Sequence, residues 1–473
     1  MLFNSFTFLA FFAAVYPVYL LLRRRHRLQN AWLLAASLVF YGFWDWRFLG
    51  LLAVSSGIDF ATALRIDGAT DARAKKRWLV LSLASNLTIL GFFKYFGFFV
   101  DSLVSLAAAL HVPLGRPALA VALPVGISFY TFQAMSYVVD VYRGDLKPCR
   151  SALDYALFIA FFPHLVAGPI QRPIALLPQV EKPRTLDMNQ INAGIFLIVW
   201  GYLKKMVIAD NMAPIANEVF DNYAAHGGLD VALGALAFTF QIYGDFSGYS
   251  DIARGLSKLL GFELLVNFKL PYFALNPTDF WLRWHVSLST WLRDYLYIPL
   301  GGNRGSSLAT YRNLLLTMLL GGLWHGAAYN FVLWGAYHGA LLVLYRRFAP
   351  EPVHEDPWGG RYHYAGIALR MALMFALTVV GWVLFRASSM EQLAWLFSHV
   401  GLARSAHSAK WALSIALFVT PLLAVQLYQY KKGDLLAPLG MPAPARGLVY
   451  AAMLLAVAIF APRISAEFIY FQF

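Results

Sequence analysis

Charge is the scarcest property of this chain. Only 13% of its residues are Asp, Glu, Lys or Arg, whereas 59% are hydrophobic and 16% aromatic. At 473 residues and a mean hydropathy of +0.57, too few polar side chains exist to cover the apolar surface of a water-soluble globule. A soluble enzyme is excluded, and a polytopic membrane protein is left. Cysteine is nearly absent as well. Cys149 stands alone, so neither an intramolecular disulfide nor a thiolate metal cluster can form. In its KPCR context no histidine adjoins the thiol, and it reads as incidental and not as a nucleophile. No H-E-x-x-H or other close-spaced ligand set occurs, so no metal is expected. Internal repeats and low-complexity tracts are missing too, and without inverted halves the case for a transporter weakens. The first apolar stretch lacks a basic n-region ahead of it and an A-x-A cleavage site, and it reads as a retained span.

What is present is a series of apolar runs long enough to cross about 30 Å of hydrocarbon as helices. They fall near 2–22, 31–50, 78–100, 102–123, 155–178, 191–210, 231–245, 312–345, 365–386, 411–430 and 447–463. Helices satisfy the backbone internally in lipid. The pattern therefore predicts an all-α polytopic membrane protein of roughly ten or eleven transmembrane helices, some split or re-entrant, in a single domain over 1–473. The formal charge of +13 is topological and no sign of nucleic acid. Its lysines and arginines cluster in short loops, at Arg23–Arg27, Arg73–Arg77, Tyr345–Arg347 and Tyr430–Lys432, which the positive-inside rule places in the cytoplasm with the N-terminus outside. The longest polar connections, about Ala349–Tyr364 and Gly433–Ala445, are Pro- and Gly-bearing loops.

Polar residues within apolar sequence carry the chemistry. In QIYGDFSGYSDIARG, Asp245 is expected to interrupt a span, and Asn267 and Lys269 follow before Pro271 and Pro277 forbid a continuous helix. Ionisable groups at such depth face a cavity or a partner. From Asp279 onward, Trp281, Trp284, Leu288, Trp291, Leu292 and Tyr295 share one arc at 100° per residue, with Arg283, Arg293 and Asp294 opposite. This predicts one interfacial helix with His285 at the edge of its apolar face, where either a packing role or a functional one fits.

Further on, LLGGLWHGAAYNFVLWGAYHG holds His325 and His338. On one continuous helix these two would not share a face, so they are no ligand pair, and His338 reads as a bonded packing residue. Gly321, Gly322 and Gly326 surround His325, allowing close helix contact or a bent backbone near its ring. An imidazole is also the natural general base for a hydroxyl proton, which makes His325 a candidate.

The motifs RWHVSLSTWLRDYLYIPLGGNRG, NLLLTMLLGGLWHGAAYNFVLWGAYHG, PVGISFYTFQAMSYVVDVYRG, FPHLVAGPIQRP and YGDFSGYSDIARGL together resemble the membrane-bound O-acyltransferase family. Within it, they are most similar to the bacterial branch containing the membrane component of alginate O-acetylation. The resemblance implies a ring of tilted helices, with re-entrant and interfacial pieces, around a central tunnel. It implies that His325 is the family's central histidine and His285 the second tunnel histidine, with Asp245, Asn267 and Trp324 lining the tunnel. Arg283 and Arg293 fit either contacts for a phosphate-bearing donor such as coenzyme A or solvated positive-inside charges. The implied reaction moves an acetyl group from a cytoplasmic thioester, acetyl-CoA or an acyl carrier, to an extracytoplasmic hydroxyl, with no bound cofactor. Implied partners are the bilayer, an exopolysaccharide acceptor such as alginate, and periplasmic acetyltransferase or polysaccharide-modification proteins, at a bacterial inner membrane. D-alanyl or other acyl transfer to teichoic acid or peptidoglycan, or a non-catalytic transporter or synthase subunit, is the alternative. Finally, FIYF in the tail RISAEFIYFQF resembles the C-terminal motif of the small partner peptide of teichoic acid D-alanylation. Tyr470 is accordingly either an acyl relay or an aromatic anchor at the interface.

Overall fold

The computed structural model describes residues 1–115, 121–166, 168–348, 361–462 and 468–469. Among these residues all regular elements are helical and no β-strand occurs. Among the described residues six helices are long and apolar enough to cross a bilayer: Arg47–Gly68, Ala72–Ala109, Met188–Asp221, Tyr364–Arg386, Ser408–Lys432 and Ala443–Phe460. The chain is thus an all-helical, multi-pass membrane protein.

Several expected boundaries move, each for a physical reason. The runs near 78–100 and 102–123 are one apolar unit, in which a π-helical turn at Gly91–Tyr95 joins Ala72–Leu90 to Phe96–Ala109. No proline breaks the chain there before Pro113. The run at 312–345 is a pair of helices, Ser307–His325 and Tyr329–Phe348, so the angular argument separating His325 from His338 on a single helix does not apply. Asp245 does not interrupt its helix. The segment Leu229–Leu259 is continuous, because its carboxylates find lysine partners and it contains no proline. Most of the Ala349–Tyr364 loop lies outside the described residues.

The chain divides into two compact units, Met1–Ile195 with Ala253–Leu265, and Phe196–Ile252 with Val266–Phe473. The first unit packs Phe3, Phe8, Phe40 and Phe162 into one aromatic cluster. It also buries a polar network between two spanning helices, in which Asp59 accepts hydrogen bonds from Ser82 Oγ (2.5 Å) and Asn86 Nδ2 (2.8 and 2.9 Å). Such networks join helices in lipid, where the hydrophobic effect does not. Cys149 is buried here, and burial pushes its thiol up to about 12. A thiol so rarely ionised is a poor nucleophile.

The second unit depends on glycine for close helix contact. A Cβ on Gly322 would stand 2.2 Å from the Phe331 carbonyl oxygen, and one on Gly335 2.3 Å from that of Met318. Without those atoms the hairpin Ser307–His325 and Tyr329–Phe348 closes backbone to backbone. The Met188–Asp221 span crosses Leu229–Leu259 in the same way, since a Cβ on Gly201 would meet the Gly248 carbonyl oxygen at 2.6 Å.

Candidate active site

The site in the second unit is built from a bend and a helix end. The predicted interfacial helix from Asp279 is in fact two short helices, Pro277–Arg283 and Val286–Leu292, parted at Trp284 and His285. His285 takes φ +44° and ψ +50°, the left-handed region in which a non-glycine residue carries strain of about 1–3 kcal/mol. The bend is held by the segment after Phe262. Lys269 N–H donates to the Arg283 carbonyl, and Val286 N–H to that of Asn267, both at 2.9 Å.

Asn267 then fixes the imidazole. Its Oδ1 accepts from Ser287 N–H (3.2 Å) and Ser287 Oγ (2.8 Å), and it faces His285 Nδ1 at 3.2 Å. Asn267 Nδ2 donates to Ser250 Oγ at 3.3 Å. Because the backbone donor from Ser287 requires an oxygen at that position, the amide orientation is determined. Nδ1 of His285 must therefore carry the proton, and in the neutral ring Nε2 is an acceptor.

His325 is the last residue of its helix, and Gly326 after it is extended. Gly326 has room for no side chain, since a Cβ there would lie 2.0 Å from the Phe331 ring. The His325 ring is walled edge-on by Trp324 (5.0 Å), Trp334 (5.0 Å) and Phe385 (5.4 Å). The structure brings the two sequence-predicted histidines together: their ring centroids lie 6.2 Å apart, and both residues are buried, at 0% and 4% exposure. Trp324 touches both, standing 5.9 Å from His285, and Phe246 backs His285 at 4.7 Å. At that spacing, hydrogen bonds of about 2.8 Å from one oxygen-bearing group can reach both rings.

Other expected residues lie elsewhere. Asp245 is next to Phe246 in sequence, and its carboxylate is in an ion pair with Lys205 at 2.8 Å. Arg283 is engaged with Asp279 at 2.6 Å, and Arg293 with Asp294 at 2.6 Å. His338 is enclosed by Phe280 (5.8 Å), Trp281 (5.2 Å) and Trp334 (4.8 Å), and Trp334 also touches His325. Tyr470 lies outside the described residues. Among the described residues no group of three or more His, Cys, Asp or Glu is placed to hold a metal ion.

Sequence reasoning missed Lys204, Lys205 and Asp210. Lys204 pairs with Asp251 at 2.7 Å, and Lys205 bridges Asp210 and Asp245, each at 2.8 Å. The signal was available as two adjacent lysines at the end of an otherwise apolar run.

Residues 145–384, which contain both histidines, match the model of the membrane-bound O-acyltransferase family. The chain is 45% identical to the probable alginate O-acetylase AlgI of Azotobacter vinelandii, over 84% of this chain and 77% of the relative. It is 38% identical to a peptidoglycan O-acetyltransferase of Helicobacter pylori, over 76% and 71% respectively. A teichoic acid D-alanyltransferase of Bacillus subtilis is 30% identical over 51% of this chain and 61% of its own length. A multi-pass, all-helical chain with this match and these relatives belongs to the membrane-bound O-acyltransferase family and is an O-acyltransferase.

Proposed function

We propose that this enzyme passes an acetyl group from a cytoplasmic thioester, acetyl-CoA or an acyl carrier, to an extracytoplasmic hydroxyl, for O-acetylation of alginate or a similar exopolysaccharide. The observation that carries this reading is the buried His285–His325 pair, 6.2 Å apart within aromatic walls. His325 takes the hydroxyl proton as the oxygen attacks the thioester carbonyl. The carbon–sulfur bond breaks, and the thiolate recovers the proton from His325 and leaves as the thiol. His285, with its Nδ1 proton committed to Asn267, offers Nε2 as an acceptor. That suits it to accept from a neighbouring hydroxyl of the acceptor, the reacting proton going to His325, and not to polarise the donor carbonyl, for which a donor is needed. Trp324 closes the site against water, and Arg283 contributes through the bend at His285, its carbonyl accepting from Lys269 N–H.

The reading includes ten or eleven crossings in a bacterial inner membrane, further helices such as His26–Asp45 and Ser307–His325 joining the six that are long and apolar enough by themselves. A tunnel open to both faces lets the acetyl cross while its carrier stays inside. Periplasmic acetyltransferases or polysaccharide-modification proteins take it onward, and Tyr470 serves as the relay, because a phenol is easier to deprotonate than a sugar hydroxyl. The names of the Helicobacter and Bacillus relatives supply the second reading, in which the acceptor is peptidoglycan or the group is D-alanyl on teichoic acid. The deciding experiment is acetyl transfer in proteoliposomes with thioester on one side and oligosaccharide on the other. Wild-type protein gives acetylated product, identified by mass spectrometry, and His325→Ala does not. Equal product from both would sink the reading.

A further inference from the structure

The residues Phe468 and Ile469 are buried, at 0% and 1% exposure, although they follow the final helix Ala443–Phe460. Their seat is the helix Leu229–Leu259. Ile469 N–H donates to Asp245 Oδ2 at 2.6 Å. The Phe468 ring lies 4.5 Å from Tyr249 and 6.1 Å from Phe246. Phe246 is also the ring that backs His285, so one side chain touches both the C-terminal segment and the candidate centre.

The carboxylate that receives the amide is not required to balance Lys205. That lysine already meets Asp210 at 2.8 Å, and both side chains are 1% exposed. A second buried carboxylate against one ammonium group is costly unless its remaining oxygen is used. Here the other oxygen accepts a main-chain N–H that would otherwise be buried without an acceptor, through a charge-assisted bond. We propose that Asp245, set in place by Lys205, is the catch that seats the C-terminal segment beside the His285 wall. It is a positioning residue: it acts on the transfer centre only through the segment it holds. Its functional consequence rests on the proposed acyl transfer, but the seat itself does not.

The test uses full-length protein carrying Cys149→Ser and one new thiol, Ile469→Cys, with maleimide labelling as the readout. With Asp245 present, labelling is slow relative to a Leu402→Cys control, Leu402 being 90% exposed. Asp245→Asn keeps an acceptor oxygen and keeps the protection. Asp245→Leu removes it and labels about tenfold faster or more, the factor expected for one hydrogen bond to a charged group. Lys205 retains Asp210 in both variants, so the fold is not left with an unpaired lysine. A second route leaves the helix untouched: Ile469→Pro deletes the donated N–H. Its loss of acetyl transfer, that of Asp245→Leu and that of the double variant are expected to be equal, because all three break one contact. His325→Ala is inert yet keeps the thiol protected, which separates failure of the chemistry from failure of the seat. Rapid labelling with Asp245 intact, equal rates in the Asn and Leu variants, or multiplicative losses in the double variant would overturn the proposal.

Discussion

Two polar regions of the second unit, both deep in apolar sequence, solve burial in opposite ways. The lysine region is charged and closed: Lys204 and Lys205 are each within 2.8 Å of a carboxylate, and their side chains are 3% and 1% exposed. The histidine region is held by an amide, a hydroxyl and aromatic walls. The difference teaches where chemistry can happen. Buried ion pairs lose heavily when one member goes, because the survivor is stranded. A neutral imidazole in an aromatic wall keeps a nitrogen for a reacting group at little structural cost.

That contrast yields graded expectations. The largest concerns His325→Ala, for which acetyl transfer should fall by about 10²–10⁴-fold while the melting temperature in detergent stays near that of the wild type; a large stability loss with residual transfer would reverse the two regions' roles. Lys205→Met is the mirror case. It strands Asp210 and Asp245, and a loss of about 3–5 kcal/mol in stability should appear in thermal unfolding before any effect on chemistry can be measured. Asn267→Leu removes the acceptor that fixes the His285 tautomer. A loss of about 10–100-fold in transfer, the range found when outer-shell partners of histidine ligands are removed, should come with a changed pH profile. An unchanged profile would mean Asn267 is only a packing residue. His338→Phe preserves the stacking on Phe280 and should cost far less transfer than His325→Ala at matched expression, and equal losses would put His338 in the mechanism. Smallest of all, Cys149→Ser should leave transfer and stability within error, since that thiol is buried and scarcely ionised.

The sequence disclosed the membrane class and the two histidine motifs that the fold brings together, because composition and motif spacing are local properties. It did not disclose the bend at His285. Neither glycine nor proline marks that position, and the left-handed turn there depends on main-chain bonds from Asn267 and Lys269, a contact made only after folding. The same limit hid the continuity of Leu229–Leu259. Asp245 and Asp251 look like breaks until Lys204 and Lys205 are brought against them from another span. The tight hairpin after Ser307 was half legible: the glycines announced close approach, but the separate helices on either side of Gly326 did not follow from hydropathy alone.

The lysine region also bears on how the protein is made. On insertion scales, each lysine at the middle of a membrane helix costs about 2.5–3.5 kcal/mol, so the Met188–Asp221 span enters the bilayer with a deficit of about 5–7 kcal/mol for two of them. Asp210 is on the same span and available to Lys205 at once, but Asp251 and Asp245 belong to a helix the ribosome has yet to deliver. Insertion of the first helix is therefore completed only when the second arrives. The Gly201–Gly248 crossing lets their backbones meet, so the lysines and their carboxylates are held at the closest approach of the two helices.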